Sequence, residues 1–366
     1  MHQTRLDNPL LTLLKRITKL GVAMITVTFR ERILSQVSDQ LNDEGLNFSR
    51  DNDIVTEFVA KLYNFTEERA VFLPEIVITN DFDTLKKVFT DTFHVPIGKV
   101  KANEDATRKI LKACGPLSIA GWSIFVEVRP NTLKYGLFRQ SWMPFSLSIE
   151  DALRSGGDFP ANFIYIRRSF GDAVMITGPK SDTRKIIFST ERPTDTDQEC
   201  HLNTLCSAVT DKMSNEQAKA EQFMRRTFKQ IFLKSHGCII IVKENAEKTV
   251  PDILSDSVLL DPNLDIGHAV SNYASHQDQT TLSNLQAVPS LLKGMIESDG
   301  VICFSPDCSV LAYRGFIRKR SRQTDRAGAT GGARRRAFTA LCDDLGSSLS
   351  TVFMQSSDGN MQIRTT

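Results

Sequence analysis

Gly237-Cys238-Ile239-Ile240-Ile241-Val242 is the stretch on which the fold turns. An unbroken apolar run has no polar face, so a strand made of it must be covered on both sides, as in an α/β sheet. Upstream, Ala220, Phe223, Met224, Phe228, Ile231 and Phe232 recur at the three- and four-residue spacing of an amphipathic helix. Ser214 with Gln217 three positions on forms a capping-box pattern for its start, and Gly237 suits its C-terminal cap. Downstream, residues 281–297 carry Leu282, Leu285, Val288, Leu291, Leu292 and Met295 on one helical stripe. Pro289 within that stripe predicts a helix that starts or bends there. Asp299-Gly300-Val301-Ile302-Cys303-Phe304 then reads as a second buried strand. This alternation predicts a mixed α/β domain over residues 212–366, with a mixed sheet and helices on both of its faces.

The preceding chain divides into an α/β region at 24–115 and a β-rich region at 116–200. In the first, a short strand is predicted at 25–29 and helices at 30–42, 53–63, 83–93 and 105–114, the last stopped by Gly115-Pro116. In the second, strands at 121–128 and 134–138 flank a Pro130-Asn131 turn. A hairpin joins 163–168 to 173–177, and one more strand covers 185–189. Gly178-Pro179-Lys180-Ser181-Asp182 lacks the Gly-x4-Gly-Lys spacing of a phosphate loop and reads as a polar hairpin loop. The acidic, Thr-rich stretch 190–198 reads as a linker. Residues 1–23 form an N-terminal extension or amphipathic helix, or an upstream extension if translation begins at Met24.

Composition narrows the function classes. The chain has 366 residues, 41% of them hydrophobic and 24% charged, with a net charge of +2. Such a chain is neither disordered nor a polyelectrolyte coating for nucleic acid, so any functional charge is local. No apolar run reaches the roughly 18 residues a membrane span requires. Seven cysteines at irregular spacing, with no signal-peptide core, predict a reduced, cytoplasmic protein. Cys200, His201 and Cys206 lack the second ligand pair of a zinc site, and Cys303 and Cys308 read as small apolar filler.

The chemistry concentrates near the C-terminus. Asp299 stands at the mouth of a buried strand, where a carboxylate can hold a divalent metal or a sugar hydroxyl, and Gly300 lets a ligand approach the backbone. Between Arg314 and Arg336 lie Arg314, Arg318, Lys319, Arg320, Arg322, Arg326, Arg334, Arg335 and Arg336, against the single acid Asp325. Thr330, Gly331 and Gly332 lead into the triplet Arg334-Arg335-Arg336, and a helix is predicted to open just after it. Exposed N–H groups, guanidinium forks and a helix N-terminus together favour phosphate. DNA or RNA could use the same charges, but no aromatic residue interleaves between Phe316 and Phe338 to stack single-stranded bases.

In order, the chain presents Gly237 and its strand, a helix, Asp299-Gly300-Val301, Gly332-Ala333-Arg334-Arg335-Arg336-Ala337 and Ser356-Ser357-Asp358-Gly359. Over about 213–366 this order and spacing resemble the diadenylate cyclase domain family, whose motifs are Asp-Gly-Ala, Gly-Thr-Arg-His-Arg-Ala-Ala and Ser-Glu-Glu-x-Gly. A strand-first α/β region ahead of such a diverged domain is similar to the predicted sensor proteins called DACNV. The resemblance implies a domain that joins two ATP molecules into cyclic di-AMP, with Mg²⁺ or Mn²⁺ and two sites facing each other across a homodimer. It assigns the metal-linked, catalytic carboxylate to Asp299 and phosphate binding to Gly332, Arg334, Arg335 and Arg336. Gly300, Thr330 and Gly331 complete the expected nucleotide-binding set.

The departures bear on catalysis. Arg335 stands for the family's His, Ser298 precedes Asp299 where His is frequent, and Ser357 and Asp358 replace the Glu pair. The expectation is therefore a signalling sensor that binds ATP or a cyclic dinucleotide through a degenerate cyclase domain. An active diadenylate cyclase is the alternative, and a nucleic-acid binder working through the Arg-rich loop is a second. A long loop at 319–330 is expected to cover the pocket.

Overall fold

The computed structural model describes residues 28–46, 52–67, 70–88, 93–103, 105–119, 121–139, 145, 148–154, 159–170, 173–188, 198–318, 332–357 and 359–366. It is a mixed α/β fold built on two sheets, each of seven strands.

The first sheet contains β1 (Ile76–Thr79), β2 (Phe93–Lys101), β3 (Trp122–Arg129), β4 (Thr132–Arg139), β5 (Phe163–Ser169), β6 (Ala173–Thr177) and β7 (Arg184–Ile187), in the order β2-β4-β3-β1-β5-β6-β7. Only β1 and β3 run parallel. Helices α1 (Phe29–Asp43), α2 (Asn52–Tyr63) and α4 (Ala106–Cys114) cover the face that carries Ile76, Ile78, Ile124, Val126, Ile164 and Ile166. Helices α3 (Phe82–Val88) and α5 (Ile149–Arg154) cover the other, which carries Val77, Phe125, Phe163 and Tyr165. Alternate residues of each central strand thus reach different cores, as a doubly covered sheet requires. The 115–116 division falls inside this one sheet, because β1 on its N-terminal side pairs with β3 beyond it.

The second sheet contains β8 (Cys238–Lys243), β9 (Leu254–Ser255), β10 (Val258–Asp265), β11 (Val301–Ser305), β12 (Ser309–Ile317), β13 (Leu349–Gln355) and β14 (Met361–Thr365). Its order is β9-β12-β11-β8-β13-β14, with β10 also paired to β12. All six residues of β8 are buried. Ile240 and Val242 face a core built with α6 (Gln198–Thr210), α7 (Gln217–Phe232), α8 (Ile266–His276) and α9 (Gln279–Glu297). Ile239 and Ile241 face a smaller core under α10 (Ala333–Cys342). Helices therefore lie on both faces, as the apolar run demanded.

Several local expectations change. Residues 25–27 of the expected first strand lie outside the described residues, but Thr28 caps α1 through a reciprocal bond with Glu31 and Phe29 is helical. Of the helix expected at 83–93, the described part is helical to Val88, residues 89–92 lie outside the described residues, and Phe93 opens edge strand β2. Pro96 disguised that strand; an edge position tolerates its missing N–H, and the ladder shifts register there. The Ser214–Gln217 capping box does not form. Helix α7 starts at Gln217 behind Glu216, which has φ 56° and makes no side-chain cap, so Gln217 is the first helical residue and not the third. Helix α9 runs through Pro289 without restarting. Leu285 and Val288 before it, and Leu292, Met295 and Ile296 after it, bury into one core face, which outweighs the roughly 3 kcal/mol of an internal proline. The Gly178–Ser181 loop receives an internal anion: the Lys180 N–H donates to both Glu44 carboxylate oxygens at 3.2 and 3.0 Å, and the Ser181 hydroxyl donates to the same group.

Helix α6 was not expected at all. Leu202, Leu205, Cys206 and Val209 form its buried stripe, and Cys206 is a core residue whose thiol burial pushes upward. Cys303 and Cys308 are likewise buried, and burial raises the Cys303 thiol to about 12.

Candidate nucleotide-binding edge

Strands β8 and β11 are parallel, with Ile239 opposite Val301, so both enter the sheet from the same edge. Gly237 and Gly300 mark those entrances, on neighbouring strands spaced about 4.8 Å apart. Strands β12 and β13 run the other way and end at this edge, with Gly315 opposite Val301 and Gln355 opposite Cys238. Asp299, exposed, precedes Gly300.

The arginine triplet reaches the same edge. Gly332 is the N-cap of α10, where an added Cβ would meet no atom of the described residues within 4 Å, and Arg334, Arg335 and Arg336 occupy the first turn. Arg334 Nη1 donates to the His236 carbonyl at 2.9 Å, one residue before Gly237. A methyl group on Gly237 would sit 3.0 Å from that nitrogen and 2.6 Å from the Gln355 carbonyl oxygen. With φ at +96°, the position is closed to other residues on both conformational and steric grounds. Arg335 and Arg336 are exposed. Of the triplet, Arg334 is thus bound beside the Gly237 entrance, and Asp299 stands just ahead of the neighbouring Gly300 entrance.

Gly300 has a different role from the one expected. Its φ is +115°, and a methyl group there would meet the Arg314 main chain at 2.7 Å. The space above it is filled by β12, so the glycine serves strand packing and not a ligand's approach.

The opposite side of the rim is tied to α7. The Ser235 hydroxyl donates to Gln355 Oε1 at 2.5 Å, and Gln355 Nε2 donates to the Phe232 carbonyl at 2.8 Å. Gln355 is fully buried, and its composition gave no hint of this clamp. The final motif forms the β13–β14 turn: Ser356 N–H and Oγ both donate to the Asn360 carbonyl, at 2.9 and 3.0 Å, and Ser357 is exposed. Thr330, Gly331, Asp358 and the 319–330 loop lie outside the described residues.

Among the described residues no cluster of three or more His, Cys, Asp or Glu side chains could hold a metal. Cavities of about 450 and 930 Å³ lie in the N-terminal half, the larger lined by Asp43, Glu150, Arg167 and the residues from Thr177 to Arg184. No helix among the described residues is long and apolar enough to cross a membrane. Compared with protein-family models, curated proteins and solved structures, the chain matches none.

Proposed function

We propose that residues 212–366 form a nucleotide-binding sensor domain that grips the phosphates of ATP or a cyclic dinucleotide. The observation that supports this reading is the Arg334 bond to the His236 carbonyl, which draws the arginine triplet to the sheet edge where Asp299 emerges. Phosphate suits this rim, because guanidinium forks and the N-terminus of a ten-residue helix act on one anion. Asp299 would contribute one ligand to Mg²⁺ or Mn²⁺, which is often held by one or two carboxylates together with substrate phosphates. Metal binding would therefore depend on the nucleotide. A sensor is favoured over an active diadenylate cyclase because Ser357 and Asp358 stand where the resembled family has two glutamates.

Thermal shift against ATP, ADP, AMP and cyclic di-AMP tests the reading. Ligand at about 100 times its dissociation constant should stabilise the domain by about 2.7 kcal/mol. Replacing Arg334 and Arg336 with Ala together should abolish the shift while circular dichroism stays native. A shift unchanged in that double variant would refute the proposal. Incubation with ATP and Mn²⁺, followed by detection of cyclic di-AMP, separates sensor from cyclase.

A further inference from the structure

Arg314 departs from its surroundings in three ways. Its φ is +55°, the left-handed region that glycine enters freely and an arginine enters only under strain. It lies in a β-bulge: from Val301 to Cys303 strand β11 advances two residues, while its partners on β12, Gly315 and Ala312, are three apart. Its side chain is exposed, with no hydrogen-bond or ion-pair partner among the described residues. A bulge of this kind re-aims a side chain and recurs beside functional sites. Here it adjoins Gly300, whose own left-handed backbone packs against the Arg314 main chain.

Position gives the strain a purpose. Strands β12, β11 and β8 are consecutive in the sheet, so two strand spacings, about 10 Å, separate the Arg314 backbone from the Gly237 entrance where Arg334 is anchored. Asp299 lies between them. One phosphate held by the triplet at the α10 N-terminus leaves Arg314 on the far side of the carboxylate, within reach of a further phosphate along a chain. We infer that Arg314 is a specificity residue that grips the distal phosphates of a nucleoside polyphosphate, so that this edge discriminates ATP from AMP. The inference rests on the nucleotide-binding reading above and adds a residue that none of the motifs contains.

The informative variant is Arg314→Gly, because glycine accepts the bulge conformation and removes only the guanidinium. Isothermal titration with ATP and with AMP, on the full chain, reads the outcome. The wild-type protein should bind ATP more tightly than AMP. In Arg314→Gly, ATP affinity should fall roughly ten- to a hundredfold, as expected for a lost charge-assisted phosphate contact, with AMP affinity unchanged. Arg314→Lys should recover part of the ATP affinity. The melting temperature of Arg314→Gly should equal or exceed that of the wild type. Wild-type ATP affinity in Arg314→Gly, or equal losses for ATP and AMP, would overturn the inference while leaving nucleotide binding intact. A wild-type protein that binds neither nucleotide would overturn both.

Discussion

Gly237 shows how much one backbone position can carry. Its φ of +96° and the 2.6 Å approach of the Gln355 carbonyl leave no room for a side chain, and a Cβ there would also come within 3.0 Å of the Arg334 guanidinium. Gly237→Ala should therefore destabilise the protein by about 1–3 kcal/mol, the range for a strained backbone position. Urea denaturation would measure it, and a loss below about 0.5 kcal/mol would show that the edge relaxes freely. The sequence marked this glycine as a helix cap; helix α7 in fact ends at Phe232, and the glycine serves the strand entrance instead. Asp299 and the arginines were legible because their chemistry is carried by residue type. Gln355 was not legible, because a clamp made by a buried amide depends on partners at Ser235 and Phe232 that lie more than a hundred positions away.

At the scale of elements, apolar periodicity carried most of the information, and it failed where polar residues hid it. Helix α6 reads as polar because Glu199, His201 and Asn203 interrupt its stripe. Yet Glu199 ties the start of this helix to the first sheet. It accepts from Arg167 of β5 at 2.6 Å, and Arg167 also donates to Glu150 of α5 at 2.8 Å. Arg167 is only 3% exposed. Burial opposes the charged form of Glu199, but Arg167 and then Lys229 outweigh it and hold its carboxyl below the usual range. The stability this pair contributes is thus fully present above the unfolded carboxyl pKa of about 4.3 and is lost as pH falls through the lower folded value. Glu199→Gln should flatten the stability–pH profile below about pH 4.3, measured by urea midpoints in an acid series. A slope equal to the wild type's would remove Glu199 from the acid response. Arg167→Ala, which leaves the buried Glu199 and the half-buried Glu150 with Lys229 as their remaining shared cation, should cost about 3 kcal/mol.

Across the whole molecule, the same charges join the two sheets. Lys229 of α7 pairs with Glu150 of α5, and Arg225 and Arg226 of α7 lie 3.8 and 3.9 Å from Asp151 carboxylate oxygens. Phe170, beyond β5, packs into the core of the second sheet. Helix α7 carries this interface near its middle and end, then leads through Ser235 to the His236 carbonyl that anchors Arg334. Helix α7 and the short segment 233–236 after it therefore connect the N-terminal half to the proposed phosphate rim, an arrangement that neither half's periodicity could reveal. If the halves melt as one unit, ATP bound at the rim should raise a single calorimetric transition in the wild-type protein. Lys229→Ala leaves Glu150 short of one cation and weakens the junction without touching the rim. That variant should melt in two transitions, and ATP should raise only the one belonging to the second sheet. A variant that keeps one sharp transition, shifted by ATP as in the wild type, would show that Phe170 with its apolar neighbours and the remaining Arg225, Arg226 and Arg167 contacts couple the halves without Lys229.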